Sequence, residues 1–250
     1  MDIKKIKSRL PYDTVFDKQQ FREMVCSIFP DYKEYSVSWL IKKLKEEKVL
    51  VSVGKGKYIR QEARGRKKRV YKYMHSDEYL DVEKSITQEF PLVTFQMWEL
   101  IQFNEFVNHQ LSKNILIVEV ENMLENAVFE YLREQYMHIL YCPSIDDFYR
   151  YRSEETTIVI LKLVSEAPKP VENHSCPLEK LLVDLFTNKF TGKLIQRSEY
   201  ATILEDSFEK YLIDETKLFR YARRRNVDMQ IRMFIKENTR IIPISVRKNQ

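Results

Sequence analysis

Two glutamates two residues apart, Glu119 and Glu121 in the run ILIVEVE, are the first candidates for chemistry in this sequence. Carboxylates sharing one face at the carboxyl end of a strand can hold a divalent cation, and open α/β sheets take their ligands at that end. A restriction-type nuclease would place a lysine two positions after the acid on such a strand. Here that position is Glu121, and no second half of a nuclease site is evident. Carboxylates just before a helix N-terminus are also favoured by the helix dipole alone, so metal-dependent DNA cleavage stands as an alternative reading only. The other reactive residues exclude more than they suggest. Cys26, Cys142 and Cys176 are odd in number and far apart, and His75, His109, His138 and His174 show no HExxH or Cys/His spacing for zinc. His174 and Cys176 are close, but two ligands do not make a site. Gly54, Gly56, Gly65 and Gly192 are the only glycines, too few for a Walker or GxGxxG loop. No metal, cofactor or catalytic residue is expected.

The stronger constellation is basic. Residues 1–75 carry 20 Lys/Arg against 9 Asp/Glu, a net +11; residues 76–216 carry 12 against 26, a net −14; residues 217–250 carry 10 against 2, a net +8. Such asymmetry points to polyanion contact by the basic part. Within it, Ser38, Trp39, Lys42 and Lys43 share the outer face of an amphipathic helix whose apolar face is Val37, Leu40, Ile41 and Leu44. Lysines there can neutralise phosphates, and Ser38 or Lys42 can reach base edges. Tyr35 and Ser36 stand at the helix N-terminus, a natural phosphate position. Lys55, Lys57 and Arg60 arm a hairpin, followed by the strap Arg64-Gly65-Arg66-Lys67-Lys68-Arg69. A second cluster, LFRYARRR, turns Arg220, Arg223 and Arg224 to one side of a helix and Leu218, Tyr221 and Ala222 to the other, with Arg225 near the apolar side. That face suits phosphates, RNA or an acidic partner, or docks inside the chain on the acidic middle segment.

The elements that position these residues can be read from spacing. Asp2 caps a short helix with Ile3, Ile6 and Leu10 on one face, stopped by Pro11. Asp17 and Gln20 form the pattern of a capping box, and Phe16 and Phe21 that of a hydrophobic staple. Phe21, Met24, Val25 and Ile28 follow as a helical stripe that Phe29-Pro30 ends. The third helix starts at Ser36. Val49–Val53 is β-favouring, Gly54-Lys55-Gly56 turns the chain, and Lys57–Arg60 returns. Three short helices and a basic hairpin read as a winged helix-turn-helix, in which the second helix of the pair enters the major groove.

The acidic middle reads as α/β: a helix over 77–89, an alternating strand over 92–98, a buried strand over 115–121, a helix carrying Leu124, Ala127, Val128 and Tyr131, a strand over 138–142 and another over 157–164. The strand–helix–strand order implies a parallel pair. Leu178, Leu181, Leu182 and Leu185 stripe a helix opened by Pro177, and helices over 202–212, 215–226 and 229–237 complete the chain.

The pattern ending in VSVGKGKYI is similar to the N-terminal winged helix of AbiEi-type antitoxins, and ILIVEVE, CPLEKLLVDLF and LFRYARRR resemble blocks of AbiEi-like bacterial transcriptional regulators. The resemblance implies a type IV toxin–antitoxin setting: a regulator that represses its own operon through its N-terminal domain and counteracts a nucleotidyltransferase toxin, by direct contact or functionally. It puts DNA contact on Ser36–Lys48 and Val49–Arg60, and the antitoxic face on Arg220, Arg223 and Arg224.

The expectation is therefore an α+β protein, with a winged helix-turn-helix over 1–75 and a small α/β domain with a helical C-terminal part over 76–250. Double-stranded DNA, as its own operator, is the expected partner. With 44% hydrophobic and 32% charged residues, no apolar run long enough for a membrane span, and no apolar segment behind MDIKKIKSRL, a cytoplasmic location is expected. A protein-interaction adaptor without DNA affinity is the other alternative.

Overall fold

The structure is a computed structural model. It describes all residues except 1–2, 12–13, 31–35, 48, 55, 61–67, 108–109, 188, 242 and 244–250, together with the side chains of all the described residues but Ile3, Lys4 and Ser36. The chain is mixed α+β with two small sheets, and it divides into two compact units. One takes in the first 71 residues with Ser207–Lys217; the other comprises Lys72–Asp206 and Leu218–Ile241. No helix among the described residues is long and apolar enough to cross a membrane.

The first unit runs α1 (Ile3–Arg9), β1 (Phe16–Asp17), α2 (Lys18–Ile28), α3 (Ser36–Glu46), β2 (Leu50–Gly54) and β3 (Lys57–Arg60). The capping box is formed as the spacing predicts: the Asp17 carboxylate accepts from Gln20 N, and the Gln20 amide oxygen accepts from Asp17 N, both at 2.9 Å. Phe16 and Phe21 stack at 5.8 Å across the start of α2. The short strand β1 was not legible beforehand. It pairs antiparallel with β3, which also pairs antiparallel with β2, giving the order β1-β3-β2. Ile6, Leu10, Phe21, Val25, Val37, Leu40, Ile41 and Leu44 fill the core between the helices and this sheet. Each such side chain contributes about 1.5–3 kcal/mol on burial. Gly56 has φ 67°, a left-handed conformation that makes glycine the natural residue at this turn. Beyond the hairpin the backbone of Arg69 bonds to Lys210 O and Leu212 N, and the Tyr71 ring meets Tyr211 edge-on, so residues 207–217 complete this unit.

The second unit opens with α4 (Asp77–Glu89), capped by the Ser76 hydroxyl, and builds a sheet from β4 (Phe95–Glu99), β5 (Ile115–Val120), β6 (Ile139–Tyr141) and β7 (Thr157–Lys162). Helices α5 (Glu125–Arg133) and α6 (Ile145–Tyr151) make the crossovers, and α7 (Leu178–Phe186), α8 (Arg197–Lys210), α9 (Glu215–Arg224) and α10 (Asp228–Asn238) follow, the last turn of α8 and the first residues of α9 being counted with the first unit. Sheet order is β4-β5-β7-β6, with β4 antiparallel to β5 and the rest parallel. The parallel relation of β5 and β6 is as expected, but they are not neighbours: β7 lies between them, paired from Ile115↔Thr157 to Val120↔Lys162. The expected alternation over 92–98 is also corrected, because β4 is buried at all five positions and begins at Phe95. Leu116, Val118 and Val120 of β5 pack with Tyr79, Val82 and Ile86 of α4 and Val128 and Leu132 of α5. The side chains of alternate positions point to opposite faces of a strand, so Ile117 and Glu119 face the other way, towards α7.

Candidate functional site

Two places in the chain hold the chemistry. In the first unit, burial of Val37, Leu40, Ile41 and Leu44 sets the roll of α3, and this leaves Ser38 and Lys42 exposed and Trp39 54% exposed. A large indole left in solvent is unusual for a residue type that is highly buried on average. Lys43 is half-buried and its ammonium lies 5.1 Å from the Trp39 ring centroid, a cation–π contact that orients the indole. Lys42 makes only a loose exposed pair with Glu46 at 3.9 Å, worth little in water. Lys57 is half-buried on β3. Arg60, expected to arm the hairpin, is corrected: it is buried, and its guanidinium donates to Leu10 O at 3.2 Å, so it ties the loop after α1 to the sheet. Its position at the end of β3, facing the core beside Leu50, leaves no surface role. Tyr35, Lys55 and residues 64–67 of the strap lie outside the described residues. Ser36 opens α3, while its side chain is outside them too.

The second place is an ionic centre inside the second unit. Lys180 is completely buried on α7, and its ammonium bonds both Glu119 of β5 and, at 2.7 Å, Asp184 one turn further along α7. Asp184 also accepts from the Tyr221 hydroxyl of α9 at 3.0 Å and pairs with Arg225 at 3.0 Å. The Cys176 thiol donates to Gln96 Oε1 at 3.4 Å. Two carboxylates thus face two cations, of which Lys180 is completely buried and Arg225 reaches in from the edge of the site. Desolvation alone would drive the Lys180 ammonium towards neutrality; the carboxylates of Asp184 and Glu119 outweigh it and hold it protonated well above the ordinary lysine value. Burial pushes the Cys176 thiol up, which makes it an inert core residue rather than a nucleophile. Burial and the neighbouring Asp184 also push Glu119 upward against the pull of Lys180, as expected of two carboxylates sharing a site.

This geometry corrects the expected carboxylate pair. Glu119 belongs to β5 and is committed to Lys180, whereas Glu121 lies past the strand end and accepts from Thr94 N at 2.7 Å. They do not meet on one face. His174 is likewise turned away from Cys176: its Nδ1 lies 2.6 Å from Glu83 and its ring stacks on Phe95. Among the described residues no group of three His, Cys, Asp or Glu side chains is arranged to hold a metal ion. Sequence reasoning missed Lys180, Asp184 and Tyr221. The signal was present, since Lys180 and Asp184 stand four apart inside an otherwise apolar helix and Glu119 inside an apolar strand, and buried charges require partners.

Of the arginine cluster, Arg220 and Arg223 are exposed on α9. Arg224 donates to Ser165 O at 3.1 Å and to the Ser165 hydroxyl. Arg225 turns inward to Asp184 and Thr187. The cluster therefore divides into two residues directed to solvent and two engaged with the chain itself.

Fold and site together define a mixed α+β protein with an exposed Ser-Trp-Lys helix face in one unit and a buried ionic centre in the other. The chain belongs to a family of unknown function, DUF6577, whose model matches residues 36–241, from the first residue of α3 to beyond α10. No curated protein matches the sequence.

Proposed function

We propose that the first unit is a winged helix-turn-helix that binds double-stranded DNA, and that the protein is a transcriptional regulator of the AbiEi-like antitoxin kind. The order helix–strand–helix–helix–strand–strand with sheet order β1-β3-β2 supports a winged helix. The observation that carries the reading is the outer face of α3, where Ser38, Trp39 and Lys42 stand in solvent on the second helix of the pair, the one that enters the major groove in such motifs. The net +11 of residues 1–75 supplies long-range attraction to a polyanion. Lys42 and Lys43 serve phosphates, Ser38 and Trp39 lie against base edges or sugars, and Lys57 follows the backbone from the hairpin. The antitoxin part rests on the resemblance of ILIVEVE, CPLEKLLVDLF and LFRYARRR to AbiEi-like regulators, with a nucleotidyltransferase toxin as the functional counterpart.

The test is fluorescence anisotropy of a labelled duplex at several salt concentrations. If about six phosphates are neutralised, the log–log slope of affinity against salt is about −5. Lys42→Ala lowers affinity for every duplex alike and reduces the slope by about one. A flat salt response, or Lys42→Ala without effect, overturns the proposal.

A further inference from the structure

The second unit contains a cavity of about 260 Å³ lined by no residue of the ionic centre or of the arginine cluster. It lies at the amino ends of the parallel strands, where Ile115 and Thr157 begin β5 and β7, opposite to the end at which such sheets usually take ligands. Its walls come from the 110–114 segment, the C-terminal half of α6, the turn that follows, and Leu194. The floor is apolar: Leu100, Leu111, Ile115 and the fully buried ring of Phe148. The rim is not. Lys113 and Arg152 are both part of the lining, and no aspartate or glutamate is. Ser112, Ser153 and the half-exposed Tyr149 add hydroxyl groups.

The two cations are held loosely. The Lys113 ammonium pairs with Glu154 at 2.5 Å, but the Glu154 side chain is 89% exposed, and an exposed pair is readily exchanged for another anion. The Arg152 guanidinium lies over Tyr149, 4.8 Å from the ring centroid, and among the described residues the only carboxylate whose charge it is shown to feel is the same exposed Glu154. An arginine held by an aromatic face keeps its planar donors available to a carboxylate or phosphate. The volume is below the range of about 300–1,000 Å³ typical of sites for drug-sized ligands and holds the equivalent of about nine waters. It admits one ring with an anionic substituent and excludes a dinucleotide.

We propose that this cleft binds a small organic anion with a flat body, the negative group on Lys113 and Arg152 and the ring against Tyr149 and the floor of Leu111, Ile115 and Phe148. A carboxylate and a phosphate monoester present the same chemistry to the two cations. The inference is independent of the DNA-binding reading, since every residue in it belongs to the second unit.

The experiment is isothermal titration of the full chain with benzoate, phenyl phosphate, inorganic phosphate and neutral benzyl alcohol. Saturable binding of benzoate or phenyl phosphate is expected, with the tighter of the two identifying the anionic group. Arg152→Gln and Lys113→Gln should each weaken it about tenfold, the loss of one charge-assisted hydrogen bond. Unchanged melting of both variants shows that the fold is kept; if one melts early, the other carries the comparison. Benzyl alcohol binding as well as benzoate, inorganic phosphate binding as well as phenyl phosphate, no saturation by about 10 mM, or affinity unchanged in both variants overturns the proposal.

Discussion

Glu99 shows how much one side chain organises. It is fully buried at the end of β4 and accepts hydrogen bonds from Ser76 N at 3.1 Å, Ser76 Oγ at 2.7 Å and Asn114 Nδ2 at 2.8 Å, with His75 Nδ1 at 3.4 Å. Through Ser76 it steadies the cap of α4, because the same hydroxyl accepts from Tyr79 N. Burial alone would raise its pKa, but the neighbouring His75 and the donors of Ser76 and Asn114 outweigh burial and leave it below the ordinary carboxylate value. A carboxylate depressed in the folded state contributes stability that is fully present above its unfolded pKa of about 4.3 and is lost as pH falls through the folded value. Glu99→Gln places an amide where only acceptors fit, so one buried donor loses its partner. The expected outcome is a loss of about 1–3 kcal/mol near neutrality, shrinking towards zero in acid. Melting curves of both proteins across the acid range check it; parallel pH profiles would show that Glu99 plays no part in acid unfolding.

The element most in need of explanation is α7, in which all nine residues are buried and three, Glu179, Lys180 and Asp184, are charged. Its Leu181, Leu182 and Leu185 pack as an apolar helix does, while Lys180 and Asp184 join it to β5 and α9 through Glu119 and Tyr221. Lys180→Met keeps the volume but leaves Glu119 and Asp184 buried with Arg225 as their remaining cation. Breaking a buried pair on one side costs about 3–5 kcal/mol, while replacing both partners costs far less. Chemical denaturation should therefore show a large fall for Lys180→Met and partial recovery for Glu119→Gln combined with Lys180→Met. Equal stability of Lys180→Met and the parent would mean that the ionic centre does not hold α7. This element also marks the limit of what periodicity can tell. The i, i+3, i+4 stripes locate α2 and α3 well, and the Asp17–Gln20 box fixes the start of α2, because those helices each have one wet face. In α7 there is no wet face, so the Leu stripe is visible and the charged residues between the leucines read as solvent-facing. Strand existence is legible in ILIVEVE and TIVILKLV, yet the insertion of β7 between β5 and β6 is not, since burial on both faces is the same at every interior place in a sheet. The strand β1 has two residues and α6 seven, too short to show a period. The surface part of the candidate site was better exposed to sequence reasoning than the buried part: α3 announces its outer face, and Arg60 misleads because a basic residue on a hairpin reads as exposed until Leu10 O is found to claim it.

At the scale of the whole chain the segregation of charge makes the strongest demand on function. A single polyanion-binding surface would not need a middle segment of −14 between ends of +11 and +8. Part of the C-terminal excess is consumed inside the second unit, by Arg225 on Asp184, and Arg224 is turned to Ser165. Arg220 and Arg223 remain on the surface of α9, at a position in the chain far from the α3 face and in the other compact unit. If the protein both binds its operator and counteracts a toxin, these two surfaces should fail separately. Trp39→Ala with Lys42→Ala should abolish duplex binding by anisotropy and leave intact any rescue of cells from a co-expressed nucleotidyltransferase toxin. Arg220→Ala with Arg223→Ala should do the reverse, since neither arginine holds the fold. Fragments are a poor substitute for these variants, because a piece ending near residue 75 lacks Ser207–Lys217, and with it the backbone bonds from Lys210 and Leu212 to Arg69. Loss of both activities in either double variant, with melting unchanged, would show one shared surface and remove the basis for assigning the two units different work.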